Sequence, residues 1–289
     1  MLEYYEDGFV VCEEGLIVEV LSADDYFAKM PSGVSCEDLR PHLLVPGFID
    51  NHVHMPQQDI IAGRSGELLD WLDRHAFPAE LRYADHDFAR IKAETFINEL
   101  FSAGTTCAQV FSTVHRHACE SLFVAASAKK MCLVAGKVMM DRNAPESVID
   151  TAQSGYEQTK GLIEKWHRRG RSLYAVTPRF APTSTPAQLE VCGQLMSEFN
   201  DVYLQTHVSE NLDEIKWVAD LFPDARSYQD VYARYGMLGP RGLYGHAIHM
   251  DDEDLALAAE TGARFVHCPT SNLFIGSGLF DLKRTWDAC

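Results

Sequence analysis

The chain has 289 residues, 46% of them hydrophobic, which is enough for one large domain with a sizeable core. Its 42 acidic side chains outnumber 25 basic ones and give a formal net charge of -17 at pH 7. This charge repels a phosphate backbone and therefore argues against nucleic acid as a partner. A small, uncharged or weakly charged ligand is favoured instead.

The cysteines and the N-terminal segment are not those of a secreted or membrane protein. The eight cysteines are scattered and form no C-x-x-C pair, so we expect free thiols in a reducing cytosol. No apolar run approaches the roughly 20 residues of a membrane span. The N-terminal segment MLEYYEDGFVVCEEG is acidic where a signal peptide would be basic and then apolar. We expect a cytoplasmic protein without membrane contact.

Two short β-type runs in GFVVCEEGLIVEVL, joined by an acidic turn, predict a small β-appendage over residues 1–43. From residue 44 to 289, β runs alternate with helical stretches, which predicts a parallel sheet covered by helices. The β runs are LLVPGFIDNHVH, TTCAQVFST, MCLVAGKVMM, SLYAVTPRF, DVYLQTHVS, GLYGHAIHM and ARFVHCPTS. The predicted helices are 85–102, 116–129, 147–168, 186–199, 210–221, 227–236 and 251–261.

Polar residues gather at the carboxyl end of each run, where a (β/α)8 barrel keeps its chemistry. We therefore predict a barrel rather than a doubly wound sheet. Only seven strand-like runs are present where a barrel closes with eight, so we expect an incomplete barrel that lacks its last strand.

Four histidines fall near the ends of three of these runs. His52 and His54 stand two residues apart, so on a regular strand their side chains point to the same face. His207 ends the fifth run and His246 lies in the sixth, so both are expected at the same mouth of the barrel. A lone buried histidine is more often a core residue, but this convergence suits a zinc-type ion.

Three further residues remain ambiguous from the residues alone. His249 is expected to face away from the mouth, and structural packing is slightly favoured for His267. Glu210, three residues after His207, could exchange protons with a substrate near a metal. It could equally be a helix-start residue in SENLDE with Ser209 as the cap, and that structural role is slightly favoured.

Five blocks carry a specific resemblance. PGFIDNHVH resembles the signature of the amidohydrolase superfamily, metal-dependent hydrolases built as (β/α)8 barrels with a small β-sandwich. Within that superfamily, the chain is similar to the guanine deaminase family. The similarity lies in the blocks PGFIDNHVHMPQ, LLDWLDRHAFPAE, VTPRFAPTST, QTHVSEN and HCPTSNLFIGSGLF, spread from residue 45 to residue 280.

The resemblance implies one zinc ion, with iron as the alternative, held by His52, His54 and His207. It makes Glu210 the proton shuttle and His246 a catalytic group that polarises the attacked carbon. Contacts to the purine are implied for Gln57, Arg179, Phe180, His207 and Glu210. Guanine would be hydrolysed to xanthine and ammonia, and a homodimer is expected on the same grounds.

The chain also departs from the family pattern. The fourth metal ligand, an Asp of the eighth strand, would lie beyond Cys289, and residues 1–43 match only part of the β-sandwich. Neither Asp281 nor Asp287 ends a recognisable strand. Two alternatives therefore stay open. One is a related amidohydrolase that deaminates another heterocycle, such as a pterin, a triazine or a cytosine-like ring, and the other is a non-catalytic fragment.

Overall fold

The computed structural model describes residues 3–29, 33–63 and 66–289, which form two compact units, Met1–Pro46 and Gly47–Cys289. Within those described ranges, no helix is both long enough and apolar enough to cross a membrane. All eight cysteines are free, as the sequence predicts.

The first unit contains the predicted β-hairpin and one helix. Strands β1 (Gly8–Glu13) and β2 (Leu16–Ser22) pair antiparallel, and α1 (Ala23–Lys29) follows. The hairpin turns at Glu14 and Gly15, whose φ angles of 50° and 82° are both positive, as a tight two-residue turn with matching twist requires. The Phe9 ring stacks on Tyr26 at 3.9 Å and anchors the helix on the hairpin.

The second unit is built on one parallel sheet. Its order is β10-β9-β8-β7-β5-β4-β3, with β6 pairing beside β7, and β3 and β10 are not joined to each other within the described part of the chain. Every β run of the sequence forms a strand, and the third run divides into two. The strands are β3 (Phe48–His54), β4 (Thr105–Phe111), β5 (Cys132–Gly136), β6 (Val138–Met139), β7 (Ser172–Pro178), β8 (Tyr203–Val208), β9 (Gly242–His246) and β10 (Arg264–Val266).

Helices connect the strands and cover the outside of the sheet. They are α2 (Leu68–Trp71), α3 (Phe77–Leu81), α4 (His86–Ser102), α5 (Arg116–Ala128), α6 (Ala152–Trp166), α7 (Pro186–Glu198), α8 (Leu212–Leu221), α9 (Tyr228–Arg234), α10 (Asp252–Thr261), α11 (Pro269–Phe274) and α12 (Leu282–Ala288). The arrangement is a (β/α) barrel, as the alternation of runs predicts.

Two predicted helix starts are wrong. The helix predicted from residue 147 begins at Ala152, because the Thr151 hydroxyl accepts the backbone N–H of Ser154 in a capping box. The helix predicted from residue 210 begins at Leu212 and is capped by Asn211 rather than Ser209. Glu210 therefore lies in the loop between β8 and α8, before the first residue of the helix.

The core lies between the strands and their helices. The Phe123 ring of α5 stacks on Trp166 of α6 at 5.3 Å and lies 6.0 Å from Tyr174 of β7. Both faces of the central strands are covered, and nearly every residue of β4 and β8 is at least partly buried. Polar side chains such as Gln109 and Gln205 are buried within these strands, whereas the histidines lie at the carboxyl ends, where the barrel holds the candidate site.

Candidate functional site

The four predicted histidines meet at the carboxyl ends of β3, β8 and β9. The His52 ring centroid lies 5.3 Å from His54, 4.7 Å from His207 and 5.1 Å from His246. His52, His54 and His207 each offer a ring nitrogen, and the three nitrogens lie within 4.8 Å of one another. We call these three residues the histidine site.

The protonation of the histidine site suits a cation. The carbonyl oxygen of Arg179 lies 2.6 Å from His207 Nδ1 and can only accept, so this nitrogen carries the proton and Nε2 keeps its lone pair. His207 Nε2 faces His54 Nε2 at 3.0 Å, while the buried His54 Nδ1 has no hydrogen-bond partner in the described part of the chain. Burial holds the pKa of both imidazoles well below that of free histidine, and neutral imidazole is the form that binds metals.

Glu210 lies beside this site and is 2% exposed. Its Oε1 accepts a hydrogen bond from the Ser277 hydroxyl at 3.1 Å, and its Oε2 lies 3.3 Å from His246 Nε2. His246 Nδ1 donates to Asn272 Oδ1 at 2.7 Å, which leaves Nε2 to receive a proton from the carboxyl. Burial raises the pKa of Glu210 to about 8, while Ser277 and the charge of Arg179 act in the opposite direction. The carboxyl can therefore gain and lose a proton near neutrality.

The backbone is strained where these groups converge. Ser209, His246 and Ala247 have φ angles of 47°, 70° and 47°, in the left-handed region that residues with a Cβ rarely adopt. Hydrogen bonds hold this geometry: Ala247 N–H donates to Val208 O at 3.0 Å, and Ile248 N–H donates to Ser209 O at 3.1 Å. Strain of this kind persists only where surrounding structure enforces it, and it is typical of functional sites.

A second buried carboxylate holds the Glu210 loop in place. Glu214 Oε2 accepts the backbone N–H groups of Glu210 and Asn211 at 2.9 and 3.2 Å, and Glu214 Oε1 accepts the Tyr228 hydroxyl at 2.8 Å. Burial raises the pKa of Glu214 to about 7, and the neighbouring Glu210 raises it further in the same direction. The position of Glu210 is thus fixed through its backbone.

A cavity of about 1090 Å³ opens onto the histidine site. Gln57, Arg179 and Phe180 line it together with His246 and Glu210. Arg179 is 2% exposed, and its guanidinium forms an ion pair with the buried Glu80 and lies 5.4 Å above the Phe77 ring. The cavity therefore combines an amide, a fixed cation and an aromatic ring.

The remaining sequence candidates lie outside the donor cluster. His249 donates to the carbonyl of Ser277 at 3.0 Å, and the exposed His267 ring stacks on Phe280 at 4.7 Å. Asp281 caps α12, and Asp287 pairs with Lys283 on the surface. His267 also lines the cavity, and the roles expected for His249 and His267 remain predictions.

Sequence reasoning missed Asn272, Ser277, Glu80 and Glu214. The first two lie well beyond the end of β10 at Val266, so the rule that polar residues at strand ends face the mouth does not reach them. The spacing of Asn211 and Glu214 is that of a capping box, which would have identified the true helix start. For Glu80, the sequence offers one sign of a buried role, which is a carboxylate beside the apolar residues of the segment FPAE.

The family model that describes the amidohydrolase family matches residues 43–288. The chain belongs to the amidohydrolase family. This family is typically metal-dependent, and the histidine site supplies candidate ligands. The predicted amidohydrolase-type barrel is thereby confirmed.

Individual amidohydrolases are similar over nearly the whole chain. A guanine deaminase of Escherichia coli (strain K12) is 45% identical over 285 residues, which cover 99% of this chain and 65% of that protein. The solved structure of E. coli guanine deaminase has a TM-score of 0.95 at 44% identity and covers 97% of this chain and 65% of its own. Guanine deaminase from C. acetobutylicum, solved with bound guanine, has a TM-score of 0.89 at 30% identity, with 97% and 67% covered. The chain spans 65% of the length of its E. coli relative.

Proposed function

We propose that this chain carries the site of a hydrolase that deaminates guanine to xanthine and ammonia. The observation that carries the proposal is the placement of Glu210. A buried carboxyl with a pKa of about 8 lies between Ser277 and His246, next to three converging histidines. The similarity to guanine deaminases supports the choice of substrate.

The histidine site suits one zinc ion, with iron as the alternative. Three neutral imidazoles are a donor set that zinc uses in catalytic sites, where a further position stays open. The 3.0 Å approach of His54 Nε2 to His207 Nε2 and the lack of a partner for His54 Nδ1 among the described residues also favour a cation there. Bound zinc would lower the pKa of a water molecule from about 15.7 to about 7 and so supply hydroxide at neutral pH.

The residues around the ion would divide the remaining work. Glu210 would carry one proton of the attacking water to the purine ring nitrogen and then the second, from the hydroxyl left on the carbon, to the departing amino group, which requires a carboxyl that titrates near the working pH. His246 is held by Asn272 and faces Glu210, so it would polarise and steady the carbon under attack. The resemblance to the family also assigns purine contacts to His207 and Glu210.

Three cavity residues would hold the purine. Gln57 offers both a donor and an acceptor to the purine edge, and Arg179 donates to the carbonyl oxygen. Phe180 packs against the ring. Because Arg179 is already fixed by Glu80, little side-chain freedom is lost when the substrate binds.

The test is ammonia release and guanine binding by the 289-residue chain after loading with zinc. We expect guanine to bind with a preference over a pterin, a triazine and cytosine, and to release ammonia. A folded, zinc-loaded chain that prefers another ring would assign the site to that heterocycle. A folded chain that holds zinc but binds no ring would identify a non-catalytic fragment. The same assay after loading with iron shows which of the two metals supports ammonia release.

Residence in the cytoplasm and a homodimer remain predictions.

A further inference from the structure

A second set of donor atoms overlaps the histidine site. His52, His246 and Cys268 each offer one ligand atom, and these three atoms lie within 4.8 Å of one another. His52 belongs to both sets, whereas His246 and Cys268 belong only to the second. We call these three residues the thiol site.

The hydrogen bonds around His246 and Cys268 leave one ligand atom of each residue available to the thiol site. The proton of His246 Nδ1 is committed to Asn272 Oδ1, so Nε2 is the nitrogen available to a ligand. Cys268 precedes α11; its Sγ lies 3.4 Å from the carbonyl oxygen of Val266, and the backbone of His246 also contacts the thiol. Such a contact is weak, and a stronger ligand can replace it.

The donor types select a class of ion. One thiolate and two imidazoles form a softer set than three imidazoles, and sulfur ligands favour thiophilic metals such as zinc over magnesium or calcium. Loading of the site forms one sulfur–metal bond and releases the thiol proton to solvent, without any change in oxidation state.

We propose that His52, His246 and Cys268 form a second metal site, specific for a thiophilic divalent cation. Because both sites use His52, an ion in the thiol site takes a ligand from the histidine site. It also occupies His246 Nε2, the atom that faces Glu210. A thiophilic ion therefore inhibits the reaction, a consequence that rests on the proposed function, whereas the metal site itself does not.

Cobalt(II) absorption tests the site without any substrate, because thiolate bound to cobalt gives a strong near-ultraviolet band that imidazole does not. The metal-free chain carrying His54→Ala, which weakens the histidine site, is titrated with cobalt. We expect the thiolate band in His54→Ala and its loss in His54→Ala/Cys268→Ser. Cobalt affinity should also fall at least about 10-fold in the double variant.

His54→Ala/Cys107→Ser is the matched control. Cys107 is also half-buried, but it lies near the start of β4, away from the histidines. This control should keep the band. Absence of the band in His54→Ala, or its persistence without Cys268, would overturn the proposal.

A measurement on the unaltered protein avoids any question of variant folding. Cadmium should slow the alkylation of Cys268 by iodoacetamide, followed by peptide mass, while alkylation of the exposed Cys36 serves as the internal reference. Equal rates at Cys268 with and without cadmium would also overturn the proposal.

Discussion

Two buried polar clusters near the carboxyl ends of the strands differ in how their polar atoms are paired. After β5, the Lys137 ammonium is fully buried, forms an ion pair with Asp150 and donates to the carbonyl of Val138 at 3.2 Å. Asp150 also accepts from the Gln188 amide at 3.0 Å. In the histidine site, two ring nitrogens face each other and His54 Nδ1 is unpaired among the described residues.

The difference separates a structural role from a functional one. A buried charge that is paired with an opposite charge and hydrogen-bonded is stable without any ligand, and removing its partner exposes the full cost of burial. A buried polar group that lacks a partner costs free energy until something binds to it. The Lys137 cluster should therefore govern stability, and the histidine site should govern metal binding and activity.

The largest expected effect is that of His54→Ala on metal binding. Removal of one of three ligands should weaken metal binding by more than about 100-fold, beyond the usual cost of losing an outer-shell partner. Ammonia release should fall to background. Metal analysis after dialysis, with activity measured on the same sample, checks this. His86→Ala removes an exposed histidine that stacks on His117 and is the control, and it should leave metal content unchanged. Full metal content in His54→Ala would remove His54 from the site.

Lys137→Met should lower the stability of the fold rather than the affinity for metal. The substitution leaves Asp150 buried without its cation, which costs about 3–5 kcal/mol of folding free energy. Denaturant unfolding of the metal-free chain measures it. Lys160→Met is the matched control, because the Lys160–Glu198 pair is partly exposed and such pairs contribute little. An unfolding midpoint for Lys137→Met equal to that of the control would show that the buried pair does not stabilise the fold.

The smallest effect concerns pH. The pKa of Glu214 is raised to about 7 in the folded chain, from 4.5. The folded state therefore retains a proton that the unfolded state releases, so this stabilisation is complete below about pH 4.5 and is lost as pH rises through 7. This contribution to the free energy of unfolding amounts to about 3 kcal/mol. The free energy of unfolding of the metal-free protein should therefore fall relative to that of Glu214→Gln between pH 5 and pH 8.

The exposed Glu94, paired with Arg90 on α4, provides the control for that experiment. Glu94→Gln should leave the pH dependence as it is in the unaltered chain. If Glu214→Gln retains the same decline, the titrating group lies elsewhere.

The strands and the convergence of the histidines can be predicted from the sequence, because both depend on the order of residues within each short β run. Apolar runs with polar ends define parallel strands, and all carboxyl ends of such strands face one mouth. His52, His54, His207 and His246 are therefore placed correctly by strand position alone.

The supporting contacts could not be predicted in the same way. Asn272 and Ser277 reach His246 and Glu210 only because the chain after β10 folds back across the mouth. Glu80 lies 99 residues from Arg179 in the sequence, and nothing local to either residue indicates their pairing. Such contacts depend on tertiary packing, which spacing and composition do not encode.

The most direct test of the account is Glu210→Gln, with metal content and ammonia release from guanine measured on one preparation. In the proposed reaction Glu210 transfers protons, and it lies outside the three histidines proposed to hold the metal. Metal content should therefore match the unaltered chain, while ammonia release falls about 10²–10⁴-fold. Equal loss of metal and activity would contradict the account, because Glu210 would then belong to the metal site rather than to proton transfer.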